Sequence, residues 1–174
     1  MTELPPLASI GKRQASVEES ARANRCWWDH AAAAYQAEHG DYLRDVGFMW
    51  CPEGLDEADA RLLGPLEGRT ILEVGGGAAQ CGRWLSAQGA NVASCDISKG
   101  QLQAGLEASL RSGVSVPLVQ ADATNLPFLN ESFDLACSAF GAIPFVAEPR
   151  LVMDAVFRVL KPGGRWAFSV NHPM

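Results

Sequence analysis

The chain has 174 residues, 48% hydrophobic and 20% charged, enough for one domain with a sizeable core. Its net charge of −6, with only 14 Lys and Arg spread along the chain, excludes a phosphate-binding nucleic-acid surface. Five cysteines, odd in number and never spaced C-x-x-C, indicate neither a disulfide framework nor structural zinc, and point to a reducing, cytoplasmic setting.

The opening MTELPPLASIGKRQ lacks the basic segment and apolar core of a signal peptide, and no apolar run approaches membrane-spanning length. Residues 1–15, with Pro5 and Pro6 and no periodicity, are expected to be flexible. Ser16 and Glu19 match a capping box, and a helical cap is expected over residues 16–66. Within it, Arg25 to His39 places Trp27, Ala31, Ala34 and Tyr35 on one face. Phe48, Met49 and Trp50 then fall in a loop, where they either pack beneath it or line a pocket. A short helix near Leu55 to Leu63 ends at Gly64 and Pro65.

The stretch from Thr70 to Leu85, TILEVGGGAAQCGRWL, predicts a buried strand, a tight turn and a helix. Gly75, Gly76 and Gly77 permit positive φ and leave no Cβ between backbone and ligand. A dinucleotide site of the form G-x-G-x-x-G would need a small residue at position 80, where Gln80 stands. Glu73 would also repel a pyrophosphate, whereas it suits a ligand carrying an ammonium and a sulfonium group.

A second strand, Ala90 to Cys95, ends at Asp96, 19 residues beyond Gly77, the place of a ribose-binding carboxylate. The other reading of Asp96, a carboxylate at the start of the following helix, which Ser98 and Gln101 open as a second capping box, is the less favoured one with Glu73 in place. Leu102, Leu106 and Leu110 form a stripe on that helix, and Gly113 ends it. A third strand, Val114 to Val119, contains Pro117 and therefore belongs at a sheet edge. Phe133 to Ser138 is the fourth strand, followed by a helix near Val146 to Leu160 with Leu151 on its buried face. The turn Lys161-Pro162-Gly163-Gly164 then leads into a fifth strand, Arg165 to Val170.

The string E-V-G-G-G at positions 73–77 resembles the first motif of class I S-adenosylmethionine-dependent methyltransferases, with Ala79 in place of its last glycine. With L-K-P-G-G before the last strand, the chain is similar to the small-molecule, ubiquinone/menaquinone C-methyltransferase-like group. The resemblance implies a Rossmann-like doubly wound α/β sheet of order 3-2-1-4-5, with residues 67–174 forming the cofactor-binding core. Folds of this group continue through two more strands absent from the chain, so the fifth strand is expected as an exposed edge that invites homo-oligomer formation.

The same resemblance implies S-adenosyl-L-methionine as cofactor. Asp122 and Ala123 stand in its adenine segment, and Ile97 and Gln101 sit where side chains meet the adenine. Ser138 ends the strand that faces the methyl group. The N-terminal helix would lie over the cofactor as a lid, with the Tyr35 hydroxyl on the cofactor's carboxylate; a core-packing helix is the other reading. The chemistry requires no metal. His172, His30 and His39 are candidate general bases, His172 foremost because it follows the fifth strand. Without the N-P-P-Y signature of amino-group methyltransferases, a small-molecule acceptor is expected. A nucleotide-dependent oxidoreductase or a non-catalytic cofactor-binding domain remain as alternatives.

Overall fold

The structure, a computed structural model, describes residues 14–170. The expectation of flexibility falls, for residues 1–13, outside the described residues, as does His172.

Five parallel strands form one sheet in the order β3-β2-β1-β4-β5, the order expected. At its centre lies β1 (Thr70–Val74), flanked by β2 (Asn91–Asp96) and β4 (Phe133–Ala139). Alternation along β1 sends Ile71 and Glu73 to one face and Leu72 and Val74 to the other. On the first face α3 (Gln80–Ala87) buries Leu85 with Ile71, Val92 and Leu135. On the second, α5 (Pro149–Val159) buries Val152, Val156 and Val159 with Leu72 and Val74.

The edge strand β3 (Leu118–Gln120) begins just after Pro117, later than expected. The proline still serves the sheet through its carbonyl, which accepts the Ser94 N–H at 2.9 Å. At the other edge β5 (Leu160–Ser169) pairs, among the described residues, with β4 alone. Lys161 to Gly164, expected as a turn before the strand, lies within β5 as a bulge where the register against β4 shifts.

Two of the helices that cover the sheet bury faces other than those expected. In α4 (Lys99–Ser112) the buried residues are Gln101, Leu102, Gly105 and Ala108, while Leu106 and Leu110 are 52% and 85% exposed. The cause is close approach on two sides: a Cβ on Gly100 would stand 2.9 Å from the Asp29 carbonyl, and one on Gly105 3.0 Å from that of Ala78. Small residues therefore occupy the contact. In α5, Val152 rather than Leu151 takes the buried position, three and four residues before Ala155 and Val156 on the same face.

The N-terminal region is one long helix, α1 (Val17–Leu43), opened by the Ser16 cap on Glu19 N–H at 3.2 Å. It packs on α4, with Ala32 buried where Ala31 was expected, while Tyr35 faces the cleft as expected. Trp28 turns in, whereas Trp27 is 60% exposed. Of the loop aromatics, Phe48 and Trp50 are buried in the core while Met49 borders the cleft described below. The short helix α2 (Glu57–Ala60) follows.

Candidate functional site

A cleft of about 480 Å³ opens beyond the carboxyl ends of β1, β2 and β4, beneath α1. Tyr35, Glu73, Gly75, Gly76, Gly77, Asp96, Ile97, Gln101, Asp122 and Ala123 all line it, so most of the predicted residues are brought together. Ser138 does not. It is buried, and its hydroxyl donates to the Val74 and Gly141 carbonyls, fixing the loop after β4 rather than facing the cleft.

The turn uses two of its glycines for conformation, Gly75 at φ +66° and Gly77 at +55°. Gly76 is required for space: a Cβ there would fall 2.4 Å from Ser94 Oγ and 2.5 Å from Glu73 Cδ. The Glu73 carboxylate thus lies directly under the turn, where it accepts the Gly82 N–H at 3.1 Å. Burial pushes its pKa up to about 7, against the opposing pull of the Ser94 hydroxyl, the Arg83 guanidinium and that N–H.

Asp96 closes β2 with both oxygens in use. Oδ2 accepts the Gly77 N–H and Oδ1 the Ser98 N–H, each at 2.8 Å. Each carboxylate oxygen retains a further lone pair for a ligand hydroxyl. Burial raises its pKa against these backbone donors. Gln101 resolves differently from a capping box. Ser98 Oγ accepts the Gln101 N–H at 3.1 Å, but the Gln101 side chain turns to α1 and accepts from Gln36 Nε2 at 2.9 Å. Asp122 holds its own turn, its Oδ1 accepting from the Thr124 N–H and hydroxyl at 2.9 and 2.8 Å.

The roof is aromatic. Trp28 meets Tyr35 and Phe145 edge to face with ring centroids 5.5 and 5.4 Å apart, and His39 lies 4.6 Å from Tyr35. Tyr35 is half-buried, and burial raises its hydroxyl's pKa. At the helix's N-terminal end Asn24 and Ser20 donate to the Phe145 carbonyl, and Ser20 Oγ accepts the Ala147 N–H at 3.1 Å. His39 borders the cleft, whereas His30 is exposed and does not.

Several residues that shape the site left no local signal in the sequence. Arg83 is fully buried, its Nε donating to the Asp45 carbonyl at 2.6 Å and its Nη1 to the Ala78 and Gly105 carbonyls at 2.7 and 3.2 Å. Glu57 is buried too, accepting from Trp50 Nε1 at 2.7 Å and from the Leu62 and Leu63 N–H groups at 3.0 and 2.8 Å. Gly141 packs against Gly75. A glycine just past the fourth strand, facing a known glycine turn, was the one clue available for it.

Residues 72–168 match the family described as Methyltransferase domain. A demethylmenaquinone methyltransferase of Clavibacter sepedonicus is 42% identical over 108 residues, 62% of this chain and 43% of the relative. That of Paenarthrobacter aurescens is 30% identical over 167 residues, 92% of this chain and 60% of the relative. The chain therefore spans about half the length of the curated relatives it matches. A solved S-adenosylmethionine-dependent methyltransferase from Mesorhizobium loti is 28% identical, with a TM-score of 0.58 over 66% of this chain and 52% of that one. A match over more than half the chain, on a parallel sheet of the expected order, makes this chain a member of the methyltransferase domain family.

Proposed function

We propose that the chain binds S-adenosyl-L-methionine across Gly75–Gly77 and supports methyl transfer to a small-molecule acceptor held beneath α1. The observation that carries this reading is Asp96, a buried carboxylate at the cleft that is held by two backbone N–H groups and keeps lone pairs free. It would take the ribose hydroxyls. Asp122 and Ala123 would meet the adenine, with Ile97 and Gln101 beside it, and Tyr35 would reach the carboxylate from above. Asp96 and Asp122 also make the cleft acidic, and no Lys or Arg joins them among its described lining residues. That field favours a cationic ligand. When bound, the cofactor supplies an electrophilic methyl group on its sulfonium.

For the acceptor, the aromatic roof of Trp28, Tyr35 and Phe145 favours a flat ring, consistent with relatives named as demethylmenaquinone methyltransferases. His39, at the cleft wall, is the described histidine placed to take a proton from such a ring. Five free cysteines and the lack, among the described residues, of a helix long and apolar enough to cross a membrane support a reducing cytoplasmic setting. Among the described residues no strand lies on the outer side of β5, and such an edge can pair with a second copy of the chain.

Calorimetric titration with S-adenosylhomocysteine, with NAD as control and Asp96→Ala as the matched variant, tests the reading. Saturable binding that the variant loses, with no response to NAD, is the expected result. NAD binding, or unaltered binding by a folded variant, would overturn it.

A further inference from the structure

We propose, resting on the cofactor reading above, that Asp29 is a positioning residue for the cofactor: it ties the lid helix α1 to the Asp96 segment and through it to the glycine turn. Asp29 Oδ1 accepts from Ser98 Oγ at 2.8 Å and from the Gly100 N–H at 3.0 Å. The Ser98 N–H donates to Asp96 Oδ1, and Asp96 Oδ2 accepts the Gly77 N–H, each at 2.8 Å. The hydrogen bonds therefore run without a break from the roof of the cleft to its floor.

Asp29 does more than cap α4 through the Gly100 N–H. Ser98 Oγ already accepts the Gln101 N–H, and the Ser98 N–H is already taken by Asp96. What Asp29 adds is attachment of α1, reinforced by two neighbouring contacts. Gln36, two turns further along α1, donates to Gln101 at 2.9 Å. Gly100 lets the helices touch, since its Cβ would stand 3.0 Å from that of Ala32. A side chain from the lid thus acts on the carboxylate that holds the ribose, although it does not line the cleft itself.

Hydrogen exchange on the ligand-free chain and calorimetric titration with S-adenosylhomocysteine, on wild type, Asp29→Ala and Asp29→Asn, test this. Asp29→Ala is expected to raise exchange along residues 17–43 and at the Gly77 and Gly100 amides, and to weaken binding by about tenfold or more. Asp29→Asn keeps an acceptor oxygen for both donors and is expected to bind within about threefold of wild type. Asn24→Ala loosens only the far end of α1, at Phe145, and is expected to leave the Gly77 amide protected. Unchanged exchange in Asp29→Ala, or opened exchange with unchanged affinity, would overturn the proposal. If the wild type binds no S-adenosylhomocysteine, the cofactor reading fails and exchange alone judges the tie: a Gly77 amide still protected in Asp29→Ala would refute it.

Discussion

Gly75 and Gly141 meet backbone to backbone: a Cβ on Gly141 would lie 2.1 Å from the Gly75 carbonyl oxygen, and one on Gly75 2.6 Å from the Ala142 nitrogen. The glycine turn and the loop after β4 are thus braced against each other at the mouth of the cleft. Gly141→Ala must push them apart, and it is expected to cost about 2 kcal/mol or more. Urea unfolding reads the loss, and titration with S-adenosylhomocysteine should show weaker binding in the same variant.

The same loop contains a strained residue. Ala142 sits at φ 55°, ψ −70°, in a γ-turn closed by the Ile143 N–H on the Gly141 carbonyl at 2.7 Å. Ala142→Gly relieves a conformation that costs on the order of 1–3 kcal/mol, offset by the greater entropy of an unfolded glycine. A net gain of about 1 kcal/mol is expected from the urea midpoint. A loss would mean that the turn is not strained.

Glu73 makes stability depend on pH. Its pKa in the folded chain, about 7, lies above the ordinary 4.5, so the folded state holds a proton that the unfolded state releases. The contribution is fully present below about pH 4.5 and is lost as the pH rises through about 7. Glu73→Gln keeps an acceptor for the Gly82 N–H and removes the titration. Relative to wild type, its stability should therefore rise by roughly 3 kcal/mol between pH 4.5 and 8, measured by denaturant midpoints at each pH. A constant difference would refute the assignment.

Glu57 anchors the loop that carries Phe48, Met49 and Trp50. Glu57→Ala leaves the Trp50 ring N–H and two backbone N–H groups buried without their acceptor, at an expected cost of about 3 kcal/mol or more. Trp50 should become wetter, which a red shift in tryptophan emission would report. Glu57→Gln should also destabilise, because its amide end presents donors to donors.

The central strand was legible because Ile71, Leu72 and Val74 are an unbroken apolar run ending in glycines. Pro117 correctly foretold an edge strand, although the pairing starts one residue after it. Helix faces were read less well. The leucine stripe of α4 was a sound local pattern, but burial there is set by how closely α1 and the Ala78 carbonyl approach, and only small side chains fit. The one-residue error between Trp27 and Trp28 has a related cause. On an alanine-rich helix of 27 residues, where small apolar groups lie all round, docking by Asp29 and Gln36 helps choose the inward face, and a polar side chain gives no periodicity to read.

The candidate site followed the same division. Glu73, the glycines, Asp96 and Asp122 come from strand ends and turns, where spacing along the chain fixes position, and all reached the cleft. Ser138 does not line the cleft: its place at a strand end brings it near, but the Val74 carbonyl on the neighbouring strand claims its hydroxyl. Glu57 and Arg83 were invisible for a third reason. Their partners are mostly backbone groups of other segments, which carry no identity in a sequence.

Arg83 has a consequence for how the cleft moves. Its guanidinium holds carbonyls from the loop at Asp45, the end of the glycine turn at Ala78 and the middle of α4 at Gly105. A guanidinium stays charged, so none of the three segments can leave while the other two stay without abandoning part of a buried cation. Partial openings are thereby made costly, and fluctuations of loop, turn and α4 become cooperative. The floor of the cleft is expected to exchange its amides with solvent in one concerted event, not by fraying from an edge.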